Sequence, residues 1–365
     1  MSLRERVKAH VASLVPYEPG KPIAELEREL GITGAVKLAS NENALGPSPR
    51  ALSALQQGLS EIHRYPDGSC FALRAKLAAR LGVKTDQLVF GCGSDEILEL
   101  LVKAFLNSGD EVVHAWPAFA MYPIVAQGMG GRSRAVPLTP DFVHDLPALQ
   151  AAITPRTRLV FICNPNNPTG TSVGAAAFDD FVSALPEDVL LVVDEAYFEY
   201  ARRPDFPDAL AWLKRRPGTL VLRTFSKIYG LAGLRIGYGV GDFELIGYLE
   251  RARHPFNVGS LAQIAALAAL DDEEHVRASR RSVAAGVTYL ERELSELSFR
   301  LWPTDANFLL METGAGSYDF LLREGVIVRS LKGFGLPDHV RLTIGTSEEN
   351  ERVVKALRRW RETRS

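Results

Sequence analysis

The 365-residue chain is poor in cysteine, holding only Cys70, Cys92 and Cys163. Three thiols, odd in number and widely spaced, exclude a disulfide framework and fit buried cysteines in a reducing compartment. No C-x-x-C occurs, and the seven histidines show no H-x-x-x-H spacing, so the pattern of a metal site is missing too. Charge bias is equally absent. The 42 basic and 44 acidic residues leave a net charge of −2 spread along the chain, with no basic stripe for a nucleic acid. The most apolar run, "LAQIAALAAL" at 261–270, is too short to cross a bilayer. The start, "MSLRERVKAH", lacks the apolar core of a signal peptide. These absences predict a cytoplasmic protein that engages neither nucleic acid nor membrane.

What is present is an ordinary globular balance, 46% hydrophobic and 24% charged. The length exceeds what one hydrophobic core normally supports, so a large domain plus a smaller one is expected. Residues 1–15 read as a short amphipathic helix. "VPYEPGKP" (15–22) reads as an extended arm, because its three prolines deny it helix. From about residue 70, helical and strand patterns alternate: "FALRAKLAARLG", "QLVFG", "SDEILELLVKAFLNSGD", "EVVHA". "RLVFICNP" (158–165), "VLLVVDEAY" (189–197) and "TLVLRTFS" (219–226) are apolar runs ending in polar residues. Strands apolar on both faces indicate a mainly parallel sheet covered by helices, an α/β fold. Ligands of such folds lie beyond the carboxyl ends of the strands, where "GCGS", "NPNNPTG", "DEAY" and "TFSK" all fall. After "RARHPFNVGS" (251–260) a helical region runs to about 298. "ANFLLM", "VIVRS" and "HVRLTIG" follow as strands before a terminal helix, the texture of a smaller α+β domain. The expected division is 1–33 as arm and helix, 34–255 as the large domain and 256–365 as the small one.

Lys227 stands alone in the apolar "TFSKIYGLAGLRIGYG" (224–239). An isolated lysine at a strand end is usually a solvated side chain, but this one has company. Thr224 and Ser226 offer hydroxyls to a phosphate, and the Arg235 fork grips phosphate oxygens. A lysine desolvated near cations has a lowered pKa and condenses with aldehydes. Asp194 ends the apolar "VLLVVD"; a cap or turn role is the plain alternative to pairing with a buried ring nitrogen. Tyr197, three residues on, either packs or reaches the same ligand. "NPNNPTG" is a turn by composition, from which Asn167 stands out as a side-chain donor. "GCGSDEI" (91–97) joins a strand to a helix start, where free amides attract anions. Asp95 and Glu96 also suit plain helix initiation, and an anion there requires the Asp95 side chain to turn away. An aldehyde for Lys227, a ring nitrogen for Asp194 and a phosphate for Ser94, Ser226 and Arg235 together describe pyridoxal 5'-phosphate.

"TFSKIYGLAGLRIG", "VVDEAY", "NPNNPTG" and "GCGSDEI" resemble the fold-type-I, class-II pyridoxal-phosphate aminotransferases. "LVPYEPGKP", "KLASNENALGPSP", "HRYPDG", "WPAFAMY", "DANFLL" and "GVIVRSLKGFGLPDHVRLTIGT" extend the likeness toward the branch acting on histidinol phosphate, in order from about 14 to 348. The resemblance implies that Lys227 holds the cofactor and moves protons, and that Asp194 keeps the pyridine nitrogen protonated. It implies that Tyr197 and Asn167 bond the ring hydroxyl and that Phe119 stacks on the ring, where many relatives carry tyrosine. Ser94, Asp95 by its backbone, Thr224, Ser226 and Arg235 match the phosphate cup. Tyr65 matches a tyrosine lent by the neighbouring subunit, which implies a homodimer. Arg341 matches the clamp on the substrate α-carboxylate, and Arg329 and Tyr17 match groups on the substrate phosphate. Cys92 and Ile228 depart from the family pattern at positions that supply no chemical group. The implied reaction moves an amino group between glutamate and 2-oxoglutarate on one side and histidinol phosphate and its ketone on the other. An aromatic amino acid aminotransferase and a lyase such as a threonine-phosphate decarboxylase share the same cofactor cup. A cofactor-sensing DNA-binding regulator would need a further domain, and only about 40 residues precede the pattern.

Overall fold

The computed structural model describes residues 2–363, so Met1 and residues 364–365 of the expected terminal regions lie outside it. The segment that follows the N-terminal arm and helix contributes a two-residue strand, β1 (Val36–Lys37). Seven strands then build the main sheet: β2 (Leu88–Gly91), β3 (Glu111–Trp116), β4 (Arg132–Pro137), β5 (Thr157–Cys163), β6 (Leu190–Asp194), β7 (Thr219–Thr224) and β8 (Gly237–Gly241). Their order is β2-β8-β7-β6-β5-β3-β4, with β8 antiparallel to both neighbours and every other pairing parallel. The α/β class and the mainly parallel sheet follow from the same cause. Alternate residues of each central strand bury on opposite faces: Val160, Ile162, Leu191 and Val193 in one core, Leu159, Phe161, Val192 and Leu220 in the other. At about 1.5–3 kcal/mol for each fully buried aliphatic or aromatic side chain, neither face tolerates water, so helices must cover both.

One strand of this sheet carries almost no hydrophobic pattern. β8 is "GYGVG", and its glycines are a packing requirement. A Cβ on Gly237 would sit 2.5 Å from the Ser94 nitrogen, and one on Gly239 3.0 Å from Val89 Cγ1. The bare backbone therefore lets β8 slide under the start of the Ser94–Phe105 helix. Register puts Gly237 opposite both Gly91 and Thr224, so Arg235 emerges at the edge where β2 and β7 end.

The C-terminal part holds β9 (Arg300–Leu301), β10 (Phe308–Glu312), β11 (Val326–Ile327), β12 (Arg329–Ser330) and β13 (His339–Thr343). A four-stranded antiparallel sheet runs β12-β13-β10-β9. The expected single strand "VIVRS" is divided at Val328: β11 pairs in parallel with β1, and β12 with β13. The N-terminal segment around β1 is thereby stitched to the C-terminal region, with Leu26, Ala35, Ala39 and Ile327 packed together. The helix Ser260–Ala269 packs on Pro49–Gly58, and Glu273–Glu296 forms the long helix behind it. The expected helix over the first fifteen residues is broken into Leu3–Arg6 and Ala9–Ala12 by an extended Val7. Leu3 is 85% exposed, so no buried face holds a continuous helix there. No helix among the described residues is long and apolar enough to cross a membrane.

Candidate active site

The carboxyl ends of β5, β6 and β7, the start of the Ser94–Phe105 helix, the arm and β12–β13 converge on a cavity of about 280 Å³. It is lined by the side chains expected for the cofactor and substrate, Tyr65 excepted: Tyr17, Ser94, Asp95, Phe119, Asn167, Asp194, Tyr197, Thr224, Ser226, Lys227, Arg235, Arg329 and Arg341. Sheet register explains the convergence. Cys163 lies opposite Asp194 and Asp194 opposite Leu222, so the loops after these strands open on one edge.

Lys227 follows β7 by three residues, and its amine donates to the Ser40 carbonyl, just after β1, at 3.0 Å. Burial is the main cause that lowers its pKa from 10.5 to about 8, and the nearby Arg341 guanidinium pushes the same way. Asp194 accepts from the Tyr122 hydroxyl at 2.8 Å and from the Ala196 N–H at 3.2 Å. Burial drives its carboxyl up to about 6, against those two donors. No lysine or arginine among the described residues forms an ion pair with it, which leaves room for a cationic ligand atom. Its chain neighbour Glu195 pairs instead with Arg223, its Oε2 accepting from Nη2 at 2.8 Å, while its buried Oε1 has no partner.

Tyr197 is buried, and its hydroxyl accepts from Asn41 Nδ2 at 2.9 Å. Burial holds the phenol well above its usual range, so the group stays protonated and able to donate. Asn41 is itself fixed by Thr343, whose hydroxyl donates to its Oδ1 at 3.0 Å. Arg341 Nη1 donates to Asn167 Oδ1 and Nη2 to the Ala39 carbonyl, both at 2.5 Å, while its buried Nε has no partner. Asn167 therefore keeps its amide NH2 as the free donor. Arg329 is partly buried, with its guanidinium carbon 5.6 Å from the Tyr17 ring centroid.

At the opposite end, Ser94 at the helix start, Ser226 and Arg235 line the same cavity. Gly93 has φ +80°, and a Cβ there would meet Arg235 Nη2 at 2.5 Å, so only glycine lets the guanidinium approach this corner. The Asp95 side chain does not turn away, contrary to expectation. It lines the cavity and accepts from Arg235 Nη2 at 3.0 Å. An acid in the first helical turn suits the helix dipole. The Thr224 hydroxyl is partly engaged, accepting from the Ser226 N–H at 3.0 Å.

Tyr65 is the one expected residue that lies outside the cavity of its own chain. It is 83% exposed and stacked on Phe256 with centroids 4.8 Å apart. Sequence reasoning passed over Ser40 and Asn41, which line the cavity, and Tyr122, which holds Asp194. Ser40 and Asn41 fall in "KLASNENALGPSP", a stretch that carries polar groups without strand or helix periodicity. Tyr122 had one signal, its position three residues after Phe119 at helical spacing.

The chain matches the family model "Aminotransferase class I and II" over residues 33–357. It is 52% identical over 352 residues to a histidinol-phosphate aminotransferase of Moorella thermoacetica, covering 95% of this chain and 91% of that one. A second such enzyme, from Methylococcus capsulatus, is 49% identical over 98% of this chain and 99% of its own. Among solved structures, histidinol-phosphate aminotransferase from Sinorhizobium meliloti in complex with pyridoxal-5'-phosphate superposes with TM-score 0.90 at 28% identity, over 99% and 98% of the two chains. Aspartate aminotransferase from Thermus thermophilus with maleate superposes with TM-score 0.84 at 26% identity, over 98% and 99%.

Proposed function

The chain belongs to the class I and II aminotransferases, and from that premise we propose that its substrates are histidinol phosphate and glutamate. It is a pyridoxal-phosphate enzyme that moves an amino group from one to the keto partner of the other. The observation that carries the reading is a single cavity that holds Lys227, Asp194 and Arg235 at three strand ends and two arginines, Arg329 and Arg341, opposite them. The donor set fits the cofactor. An aldehyde meets an amine already lowered toward neutrality, and a ring nitrogen meets the buried acid. A phosphate meets serine hydroxyls, helix N–H groups and the Arg235 fork beside Gly93.

Bound here, pyridoxal phosphate supplies a carbonyl carbon that accepts an amino group and a protonated ring that withdraws electrons from it. The remaining work belongs to the chain. Lys227 would hold the cofactor and, with its amine free, would take a proton from the substrate α-carbon and then give one back as an acid. With its amine near 8, both protonation states are populated at neutral pH, which suits a base that must become an acid. Asp194 holds a proton at the ring nitrogen. Tyr197 and Asn167 donate to the ring hydroxyl, and Phe119 covers the ring face. Ser94, the Asp95 N–H, Thr224, Ser226 and Arg235 grip the cofactor phosphate. Arg341 receives the α-carboxylate, for which its unpartnered buried Nε is a ready donor. Arg329 and Tyr17 receive the distal group, and the Arg329 fork accommodates phosphate or the glutamate side chain.

Tyr65 belongs to a neighbouring site in a homodimer. Its 83% exposure beside exposed Leu59, Ile62 and Phe71 supports a face made for a second copy. Sedimentation that finds only monomer at micromolar concentration would overturn the dimer.

The reaction is tested by the visible absorption of the loaded protein. Glutamate and histidinol phosphate should each bleach the band, and Lys227→Ala should lack it. A response to phenylalanine without one to histidinol phosphate would sink the substrate assignment. Arg329→Ala should raise KM for both substrates; a change for one alone would refute the shared role.

A further inference from the structure

Tyr122 is fully buried and has the largest side chain among the residues wholly withdrawn from solvent. Its ring lies parallel to Phe161, with centroids 4.7 Å apart and 6° between planes. Phe119 meets it edge-on at 5.7 Å, and His114 is tilted against it at 6.2 Å. Held on three sides, the ring has one place to put its hydroxyl, which donates to Asp194 Oδ2 at 2.8 Å. Burial raises the phenol pKa well above its ordinary value, so the hydroxyl stays protonated and able to donate.

We infer that Tyr122 is a positioning residue that keeps the Asp194 carboxyl anionic, and so keeps the proton on the ring nitrogen of the bound cofactor. The inference rests on the role given to Asp194 above. The equilibrium at stake moves one proton: carboxylate plus protonated ring nitrogen on one side, carboxylic acid plus neutral ring nitrogen on the other. A donor to the carboxylate favours the first side, because the hydrogen bond is stronger to the charged form. Four other groups face Asp194. Lys227 supports its anionic form and Asp95 opposes it. The Cys163 thiol and the Tyr197 phenol are both held neutral by burial. Tyr122 is the side-chain donor among them, and its hydrogen bond counters the desolvation that drives the carboxyl upward.

Tyr122→Phe removes the hydroxyl and keeps the stacked ring. In the cofactor-free protein, the Asp194 carboxyl band is followed by infrared difference against Asp194→Asn. Its titration midpoint should rise by roughly one to two pH units, a ten- to hundredfold shift in proton affinity for one lost charge-assisted hydrogen bond. In protein loaded with ring-15N cofactor, the nitrogen resonance should move from the protonated toward the neutral position. Phe161→Leu thins the packing beneath Tyr122 and spares the hydroxyl. It should lower Tm and leave the carboxyl midpoint within about half a unit, well under the shift of a lost charge-assisted bond. An unchanged midpoint in Tyr122→Phe, or equal shifts in both variants, would overturn the inference. If Asp194→Asn itself leaves the 15N resonance in place, the fault lies in the Asp194 assignment. If Asp194→Asn moves the resonance and Tyr122→Phe does not, only the role of Tyr122 fails.

Discussion

The amine of Lys227 offers a quantitative test that needs no substrate. Burial, reinforced by the Arg341 guanidinium, lowers its pKa from 10.5 to about 8. At pH 7 a lysine at 10.5 is neutral about once in three thousand molecules, and one at 8 about once in eleven, a gain of about 300-fold. The sign follows from the direction of the shift. The folded protein releases this proton as pH rises through about 8, so reactive amine accumulates from there upward. Between about 8 and 10.5 the unfolded chain binds a proton that the folded chain lacks, so this lysine's contribution to stability rises with pH across that window. The perturbation is pH itself, applied to the cofactor-free protein with formaldehyde and cyanoborohydride. Peptide mass spectrometry then compares methylation of Lys227 with that of Lys355, whose side chain is 71% exposed. Access to the cavity slows Lys227 by a constant factor, whereas the midpoint of its pH profile reports the pKa alone. The expected midpoint is near 8, moving upward in Arg341→Met as the repelling guanidinium is removed. A Lys227 profile that rises in parallel with that of Lys355 would refute the claim that the site is tuned before the cofactor arrives.

Two further substitutions probe the scaffold. Gly237→Ala places a Cβ 2.5 Å from the Ser94 nitrogen, where only backbone can yield. The variant should lose about 1–3 kcal/mol in a urea titration and bind inorganic phosphate more weakly, because the displaced amide belongs to the phosphate corner. Arg223→Met strands Glu195, whose carboxyl pKa burial pushes up while the paired Arg223 holds it down. A raised carboxyl pKa contributes stability that is lost as pH rises through it, so the variant should be close to wild type near pH 5. It should be weaker by about 3–5 kcal/mol at pH 8.5, as expected for a charge left buried without its partner. Equal losses at the two pH values would show that packing of Arg223 over Phe198, at 3.7 Å, is what matters.

Much of this protein was written locally. The runs ending at Cys163, Asp194 and Thr224 carry consecutive apolar residues, such as Leu159–Ile162, Leu190–Val193 and Leu220–Leu222, because both faces of a central parallel strand are covered. Local composition therefore announced the strands, their helices and the polar groups at their ends. That Lys227, Asp194 and Arg235 would line one cavity was legible for the same reason, since polar residues at the end of a buried strand need a partner. Two strands of the main sheet escaped, as did the two-residue β1 and β9. β4 buries only Val136 among six residues, and an edge strand open to water has no apolar pattern to display. β8 is built on glycine because Gly237 passes under the Ser94 helix, a constraint that exists only once the two are packed.

Tertiary structure alone decided the rest. Asn41 and Thr343 are 302 positions apart, yet they form the hydrogen bond that orients Tyr197. The split of "VIVRS" at Val328 depends on which of two sheets is within reach. Asp95 turning to Arg235 is a contact between groups 140 residues apart. Sequence determines what a segment must bury and which groups it brings to an edge, through short-range periodicity. Which distant donor meets which acceptor is set by the packing of the whole chain, and no local pattern encodes it.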